Sequence, residues 1–258
     1  LSDRSLYDWP EYYDWTSTGL DRDVTYYSEL AKQSGGPVLE LGCGTGRCSL
    51  AIARLGIPVV GLDLSSSMLQ RARQKGEEMG LTDYVRWIEA DMTQFTLNEK
   101  FPLIIIPYRS FLHLLSVREQ IAALKRVRQH LTEDGLFAFN IFVPHIRDFC
   151  ELDGKYSFRG TFPVPGTDER VDLYDLTEFD HFNQVAHVIR YVERFDGAGR
   201  SVDRIRTFFR LRYIYPTELY HLLTLCGFKI VNRYGSFHRT PFDGRSKELI
   251  IEAVKRPV

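Results

Sequence analysis

No stretch of this chain approaches the roughly 18 consecutive apolar residues of a membrane-crossing helix, so no helical span is expected. Cysteine is scarce: Cys43, Cys48, Cys150 and Cys226 form no C-x-x-C pair and have no histidine at zinc-finger spacing. That argues for reduced thiols and against a bound metal. Neither charge dominates. With 33 Lys and Arg against 34 Asp and Glu, no global field draws nucleic acid, which is not an expected partner. Internal repeats and low-complexity tracts are missing, and the first residues lack a secretory pattern, although Leu1 stands where a Met would open a chain; the cytoplasm is the expected location. What remains is the composition of a globular protein, 44% hydrophobic and 26% charged, at a length of 258 residues that suits one α/β core with an insertion.

Strand-like and helix-like runs alternate through the first 145 residues, the rhythm of a parallel sheet covered on both faces. Strands are expected at 37–41, 58–63, 84–89, 102–106 and 135–142, and helices at 45–55, 65–79 and 117–131. In the last of these, Ile121, Leu124, Val127 and Leu131 form one stripe, and Ser65 and Ser66 are natural caps for the second. From Asp168 the period changes to two, over 170–182, 184–195 and 201–215, with a hairpin-type turn at Asp196-Gly197-Ala198-Gly199. An antiparallel sheet inserted after the fifth strand accounts for this. A helix from Pro216 to Cys226 and strands at 228–234 and 247–254 then complete the parent fold.

The segment Val38-Leu39-Glu40-Leu41-Gly42-Cys43-Gly44-Thr45-Gly46-Arg47 ends a buried strand in a glycine turn that opens a helix. Without Cβ atoms, the backbone N–H groups and the positive helix end can approach a polar ligand. The spacing is G-x-G-x-G rather than the dinucleotide G-x-G-x-x-G, and Glu40 lies inside the strand. A carboxylate repels a pyrophosphate and attracts an α-ammonium, so the cofactor implied is zwitterionic.

At these residues the chain resembles the class I S-adenosylmethionine-dependent methyltransferases, and the likeness continues in order. Val59-Val60-Gly61-Leu62-Asp63-Leu64-Ser65 is an apolar strand ending on the acid that the family places on the ribose hydroxyls. Trp87-Ile88-Glu89-Ala90-Asp91-Met92 corresponds to the segment holding the adenine. The resemblance implies a Rossmann-like seven-stranded sheet of order 3-2-1-4-5-7-6, strand 7 antiparallel, with helices on both faces. It implies S-adenosylmethionine as cofactor, S-adenosylhomocysteine as product, and a cofactor set of Tyr13, Glu40, Gly42, Cys43, Gly44, Gly46, Asp63, Leu64, Met68, Asp91, Met92 and Pro107. Asp63 and Asp91 also have a plainer reading as caps of the helices that follow, and Glu40 as a buried group satisfied by a basic neighbour.

Glycine N-methyltransferase and the amino-sugar N,N-dimethyltransferases are similar in carrying an added sheet over the acceptor. By that resemblance residues 1–36 form a helical lid, 37–150 and 216–258 the cofactor-binding core, and 151–215 a substrate cap. The aromatic N-terminus, Tyr7 to Trp15, would bring Tyr13 to the methionine end; alternatively Trp9, Tyr12 and Trp15 pack a helix onto a sheet. Ile106-Pro107-Tyr108 lacks the polar residue that amino-methyltransferases of nucleobases and glutamine carry there, and an Asp-Asn pair for catechol chemistry is missing beside Asn140. Tyr108 and Arg109 are candidate acceptor contacts, and His113 is a candidate base beside Tyr13. Arg204, Arg206, Arg210 and Arg212 share one strand face, which either holds an anionic acceptor such as a carboxylate or phosphate or, the favoured reading, is a solvated face pairing with Asp172, Glu178 and Asp180. The function read is methyl transfer to N or O of a small-molecule acceptor, a homodimer being a candidate assembly; the alternatives are an NAD-dependent oxidoreductase and a non-catalytic cofactor-binding module.

Overall fold

The computed structural model describes residues 4–256. In chain order its strands are β1 (Arg4–Ser5), β2 (Val38–Leu41), β3 (Val59–Asp63), β4 (Val85–Glu89), β5 (Phe101–Ile106), β6 (Leu131–Phe142), β7 (Lys155–Pro163), β8 (Arg170–Asp180), β9 (Val185–Phe195), β10 (Ser201–Arg212), β11 (Phe228–Tyr234) and β12 (Glu248–Lys255). The helices are α1 (Pro10–Thr16), α2 (Asp23–Ser34), α3 (Arg47–Ala53), α4 (Ser66–Glu78), α5 (Val117–His130), α6 (Ile146–Leu152) and α7 (Pro216–Leu225). Two compact units result: residues 1–18 with 145–213, and residues 19–144 with 214–258.

The larger unit holds a seven-stranded sheet ordered β11-β12-β6-β5-β2-β3-β4. Its five central and edge strands β6, β5, β2, β3 and β4 run parallel, while β12 pairs antiparallel with both β6 and β11. Numbered within this sheet, the order is the 3-2-1-4-5-7-6 that the sequence resemblance implies. β2 and β5 are buried almost throughout, as strands covered on both faces must be. On one face α2 sets Tyr26, Tyr27, Leu30 and Ala31 against Val38, Leu103, Ile105 and Ile250. Elsewhere Phe111, Phe139, Phe137 and Phe228 form a run of rings with centroids 5.3, 4.8 and 5.5 Å apart. Ser65 caps α4 by accepting from the Met68 N–H, and Ser116 with Glu119 builds a capping box at α5. β6 begins at Leu131, four residues before the expected start, because Leu131 already pairs with Phe101 across a register shift.

The smaller unit is a sheet ordered β1-β10-β9-β8-β7, antiparallel except for the two-residue β1. It has one long strand more than the period-two pattern revealed. β7 was hidden by Gly160 and Pro163 and by a bulge between Phe158 and Gly160 that breaks alternation. On one face Tyr12 of α1, with Trp9 and Trp15 beside it, packs against Val164, Val171, Leu173 and Val192. Phe149 of α6 meets Phe179 and Tyr213 further along, with centroids 4.8 Å away in each case. On the opposite face Arg204 donates to the Tyr156 hydroxyl and lies over the Tyr191 ring, rather than pairing with the expected acids. The N-terminal 36 residues therefore divide: α1 belongs to this unit and α2 to the larger one.

Among the described residues no helix is long and apolar enough to cross a membrane, and no group of three or more His, Cys, Asp or Glu is placed to hold a metal ion. Cys43, Cys48 and Cys226 are buried free thiols and Cys150 is exposed.

Candidate active site

The larger unit gathers most of the residues singled out in the sequence at the carboxyl ends of adjacent parallel strands, where open α/β sheets bind ligands. The turn after β2 is held to β3 by the Gly42 and Cys43 N–H groups, which both donate to the Leu62 carbonyl at 2.7 and 3.0 Å. Gly42, Gly44 and Gly46 all have positive φ. Their surroundings differ. A Cβ on Gly42 would sit 2.8 Å from the Ser110 Cβ, and one on Gly46 would sit 2.6 Å from the Trp87 ring. Gly44 faces open space with nothing within 4 Å, so it is the turn position that a ligand can reach.

Asp63 closes β3 with its carboxylate facing that turn. Oδ2 accepts from the Gly44 N–H at 2.7 Å and Oδ1 from the Ser65 N–H at 2.9 Å. Burial raises its pKa, against the pull of these backbone N–H groups. One strand further, the Ala90 N–H donates to the Asp63 carbonyl, bringing the end of β4 alongside. Asp91, next in sequence, accepts from the Thr93 N–H and hydroxyl at 2.7 and 2.8 Å and from Gln94 at 3.1 Å. Partial burial opposes these bonds, yet they hold the Asp91 carboxyl below its usual range. Leu64, beside Asp63, is 72% exposed, and the Met92 methyl lies 3.4 Å from where a Gly42 Cβ would stand.

Glu40 is buried one strand position before the turn, and its Oε2 accepts from the Ser49 hydroxyl at 2.5 Å. Its partner is thus a hydroxyl from the first turn of α3, not a basic side chain. Loss of water pushes its carboxyl up to about 7, opposed by Ser49 and by the charge of Arg47. Burial likewise raises the Cys43 thiol well above its ordinary value, so it is a packed, inert group. Met68 is buried at 1% exposure in α4, within the packing rather than at the surface.

Pro107 directly follows β5, and the Ser110 hydroxyl joins it to the turn, lying 2.9 Å from the Pro107 carbonyl and 3.3 Å from that of Gly42. Tyr108 and Arg109 follow with φ of 54° and 67°. Two successive non-glycine residues in the left-handed region are costly and occur where the surroundings enforce them, often at functional sites. Arg109 is tied to Glu248 through its Nε at 2.9 Å and through a second guanidinium nitrogen, while Glu248 also accepts from buried Asn140. Tyr108 lies under the guanidinium of Arg47, 5.2 Å from its ring centroid. Arg47 in turn forks onto Asp23 with two bonds of 2.7 Å. His113 ends a short 3-10 turn after these residues and is half-buried. Tyr13 is on α1 in the smaller unit, its ring 6.0 Å from that of Tyr7.

Ser49, Ser110 and Arg47 were not singled out as ligands or supports by sequence reading. Only the position of Arg47, directly after the third glycine, offered a signal.

Residues 38–135 match the family model described as methyltransferase domain. This stretch is a methyltransferase domain of the class I, S-adenosylmethionine-dependent kind. The match sets aside the oxidoreductase alternative: the chain is an S-adenosylmethionine-dependent methyltransferase. Among its relatives is the cypemycin N-terminal methyltransferase of Streptomyces sp, 25% identical over 266 residues, covering 97% of this chain and 98% of that protein. In fold it is similar to the CcbJ methyltransferase of Streptomyces caelestis, with a TM-score of 0.82 at 24% identity over 99% of this chain and all of the other. The sugar N-methyltransferase KedS8 of Streptoalloteichus sp is also similar, with a TM-score of 0.70 at 19% identity over 95% and 93% of the two chains.

The residues present fit this cofactor. Gly44 leaves an open approach with its backbone held by Asp63, Asp63 offers a carboxylate suited to a diol, and exposed Leu64 offers an apolar surface suited to a base.

Proposed function

We propose that this methyltransferase moves a methyl group to a nitrogen or oxygen of a small-molecule acceptor in the cytoplasm, nitrogen being favoured because the relatives named above include N-methyltransferases. The observation that carries the reading is the bond from the Gly44 N–H to Asp63 Oδ2, which ties the open glycine turn to the strand-end acid. When bound, the sulfonium cofactor would supply an electrophilic methyl, with its thioether as the leaving group in line with the acceptor.

The chain's own residues then hold and orient. Asp63 takes the ribose hydroxyls with lone pairs left by Gly44 and Ser65. Glu40 balances the α-ammonium from within the strand, Asp91 holds the adenine amino group, and Leu64 and Met92 cover the base. The left-handed turn at Tyr108 and Arg109 presents acceptor contacts at the end of β5, with Arg109 fixed by Glu248. His113 accepts a proton where the acceptor needs to lose one, and Tyr13 supplies an aromatic face suited to a cationic centre. Nucleic acid is not among the partners in this reading.

Thermal unfolding tests it. S-adenosylhomocysteine at a hundredfold excess over its Kd stabilises the folded state by about 2.7 kcal/mol, and NADH leaves the midpoint unchanged. Stabilisation by NADH with none by S-adenosylhomocysteine would overturn the assignment.

A further inference from the structure

Helices join the parallel strands of the larger sheet in three places: α3 follows β2, α4 follows β3 and α5 follows β5. β4, at the sheet edge, is different. Among the described residues it passes to β5 through residues 90–100 without a helix, and this is the stretch that carries Asp91. Its backbone groups must therefore find partners other than those a helix would give them.

The first part of the stretch closes on Asp91, whose carbonyl accepts from the Gln94 and Phe95 N–H groups, both at 3.0 Å. The second part is gripped by the end of α5. The buried Phe95 ring stacks on the His130 ring with centroids 4.5 Å apart and planes 29° from parallel. Arg126 donates to the Thr96 hydroxyl at 3.4 Å, and the Leu97 N–H donates to His130 Nε2 at 2.9 Å. His130 is the last residue of α5 and only 4% exposed, and its Nδ1 lies 2.7 Å from the Arg126 carbonyl. A carbonyl only accepts and an amide N–H only donates, so Nδ1 carries the hydrogen and Nε2 the lone pair. An apolar side chain could fill the same space. It could not accept from Leu97, and a buried N–H left without a partner is costly.

We infer that His130 is a positioning residue for the adenine end of the cofactor, acting through Phe95 and Leu97 on the turn that Asp91 closes. The inference rests on the amino-group role given to Asp91 under the proposed function. Phe95 is the link: its N–H is bonded to the Asp91 carbonyl and its ring is stacked on His130. The imidazole therefore does for this crossover what a helix does for the others, and keeps the Asp91 carboxylate in place for an exocyclic amino group.

The test is a pair of calorimetric titrations of the full chain, with S-adenosylhomocysteine and with S-inosylhomocysteine, which has an oxygen in place of the adenine amino group. The wild type is expected to prefer S-adenosylhomocysteine by about tenfold or more, the worth of a hydrogen bond to a carboxylate. His130→Phe keeps a ring against Phe95 but offers Leu97 no acceptor, and it is expected to cut that preference roughly threefold or more by weakening S-adenosylhomocysteine alone. His130→Gln, whose side-chain oxygen can take the place of Nε2, restores the preference. A role in stability alone lowers both affinities alike, so an unchanged ratio in His130→Phe overturns the inference. Equal binding of the two compounds by the wild type overturns it together with the amino-group role of Asp91. Failure of S-adenosylhomocysteine to bind at all strikes the cofactor reading instead, and amide hydrogen exchange of the cofactor-free protein then decides the positioning. Exchange that quickens at Gln94 and Phe95 as well as Leu97 in His130→Phe supports it, and quickening at Leu97 alone overturns it.

Discussion

Glu40 makes cofactor affinity depend on pH in the neutral range. Its carboxyl is 2% exposed and sits at about 7 because burial disfavours the charged form more than Ser49 and Arg47 favour it. An α-ammonium bound against it requires the ionised form. Above pH 7 that form is present in the free protein; below it, binding must first remove a proton. The apparent Kd for S-adenosylhomocysteine therefore rises about tenfold from pH 8 to pH 6, with a slope approaching one decade per pH unit at the acid end. Isothermal titration calorimetry over this range measures the slope, and buffers of different ionisation enthalpy count the proton released. Glu40→Gln keeps the shape and removes the titration, so its affinity is weaker at pH 8 but flat. A wild-type Kd that stays constant from pH 8 to 6, or an equal slope in Glu40→Gln, would refute the role given to this carboxylate.

The same shift has a stability signature of fixed sign. A carboxyl whose folded-state pKa lies near 7, above its ordinary 4.5, binds more protons folded than unfolded between these values. Stability from this group is fully present below the lower value and is lost as pH rises through the upper one, by about 3 kcal/mol. Urea unfolding of the cofactor-free protein shows that loss, and Glu40→Gln abolishes it.

Gly42→Ala forces a Cβ to 2.8 Å from the Ser110 Cβ at a φ of +68°, so it destabilises by about 1–3 kcal/mol in denaturant titration. Adding Ser110→Gly restores part of that loss by removing the clash but not the backbone strain; no recovery would show that Ser110 is not the obstacle. Arg47→Ala strands Asp23, whose side chain is 3% exposed, and lowers unfolding stability by about 3 kcal/mol. Replacing Asp23 by Ala in the same protein returns much of this, which a double-mutant cycle measures.

Sequence periodicity made the parallel core legible because its buried strands are short apolar runs separated by glycine turns and capped helices. β7 was not legible, since the bulge between Phe158 and Gly160 breaks the alternation that marks a strand. At the site, the residues carrying backbone constraints stood out: Gly42, Gly44, Gly46 and the acid at each strand end. Their supports did not. Ser110 meets Gly42 across 68 positions and Arg47 meets Asp23 across 24, contacts that exist only once the sheet order is set. The N-terminal aromatics were readable as a packing face but not as divided between two units, because α1 and α2 are separated by only a few residues whose composition gives no boundary.

Asp63 and Asp91 show why capping and ligand binding need not be rival readings of a strand-end acid. An ionised carboxylate has about four acceptor positions. Asp63 takes one close bond on each oxygen, from Gly44 and Ser65, and the Leu64 N–H also favours its charged form, so backbone groups fix its orientation. Beyond its single close bond, each oxygen keeps a face for one hydroxyl of a ribose diol. Asp91 uses three, for the Thr93 N–H, the Thr93 hydroxyl and Gln94, which leaves one for an amino group. Capping thus preorganises each acid and also limits what it can hold. Asp63→Ala is accordingly expected to weaken S-adenosylhomocysteine binding by about two charge-assisted hydrogen bonds, roughly 3 kcal/mol or more, and Asp91→Ala by about one. Calorimetric affinities of the two variants decide the matter: an equal loss, or a larger one at Asp91, would mean that the lone pairs left over after capping do not govern how these strand ends hold the cofactor.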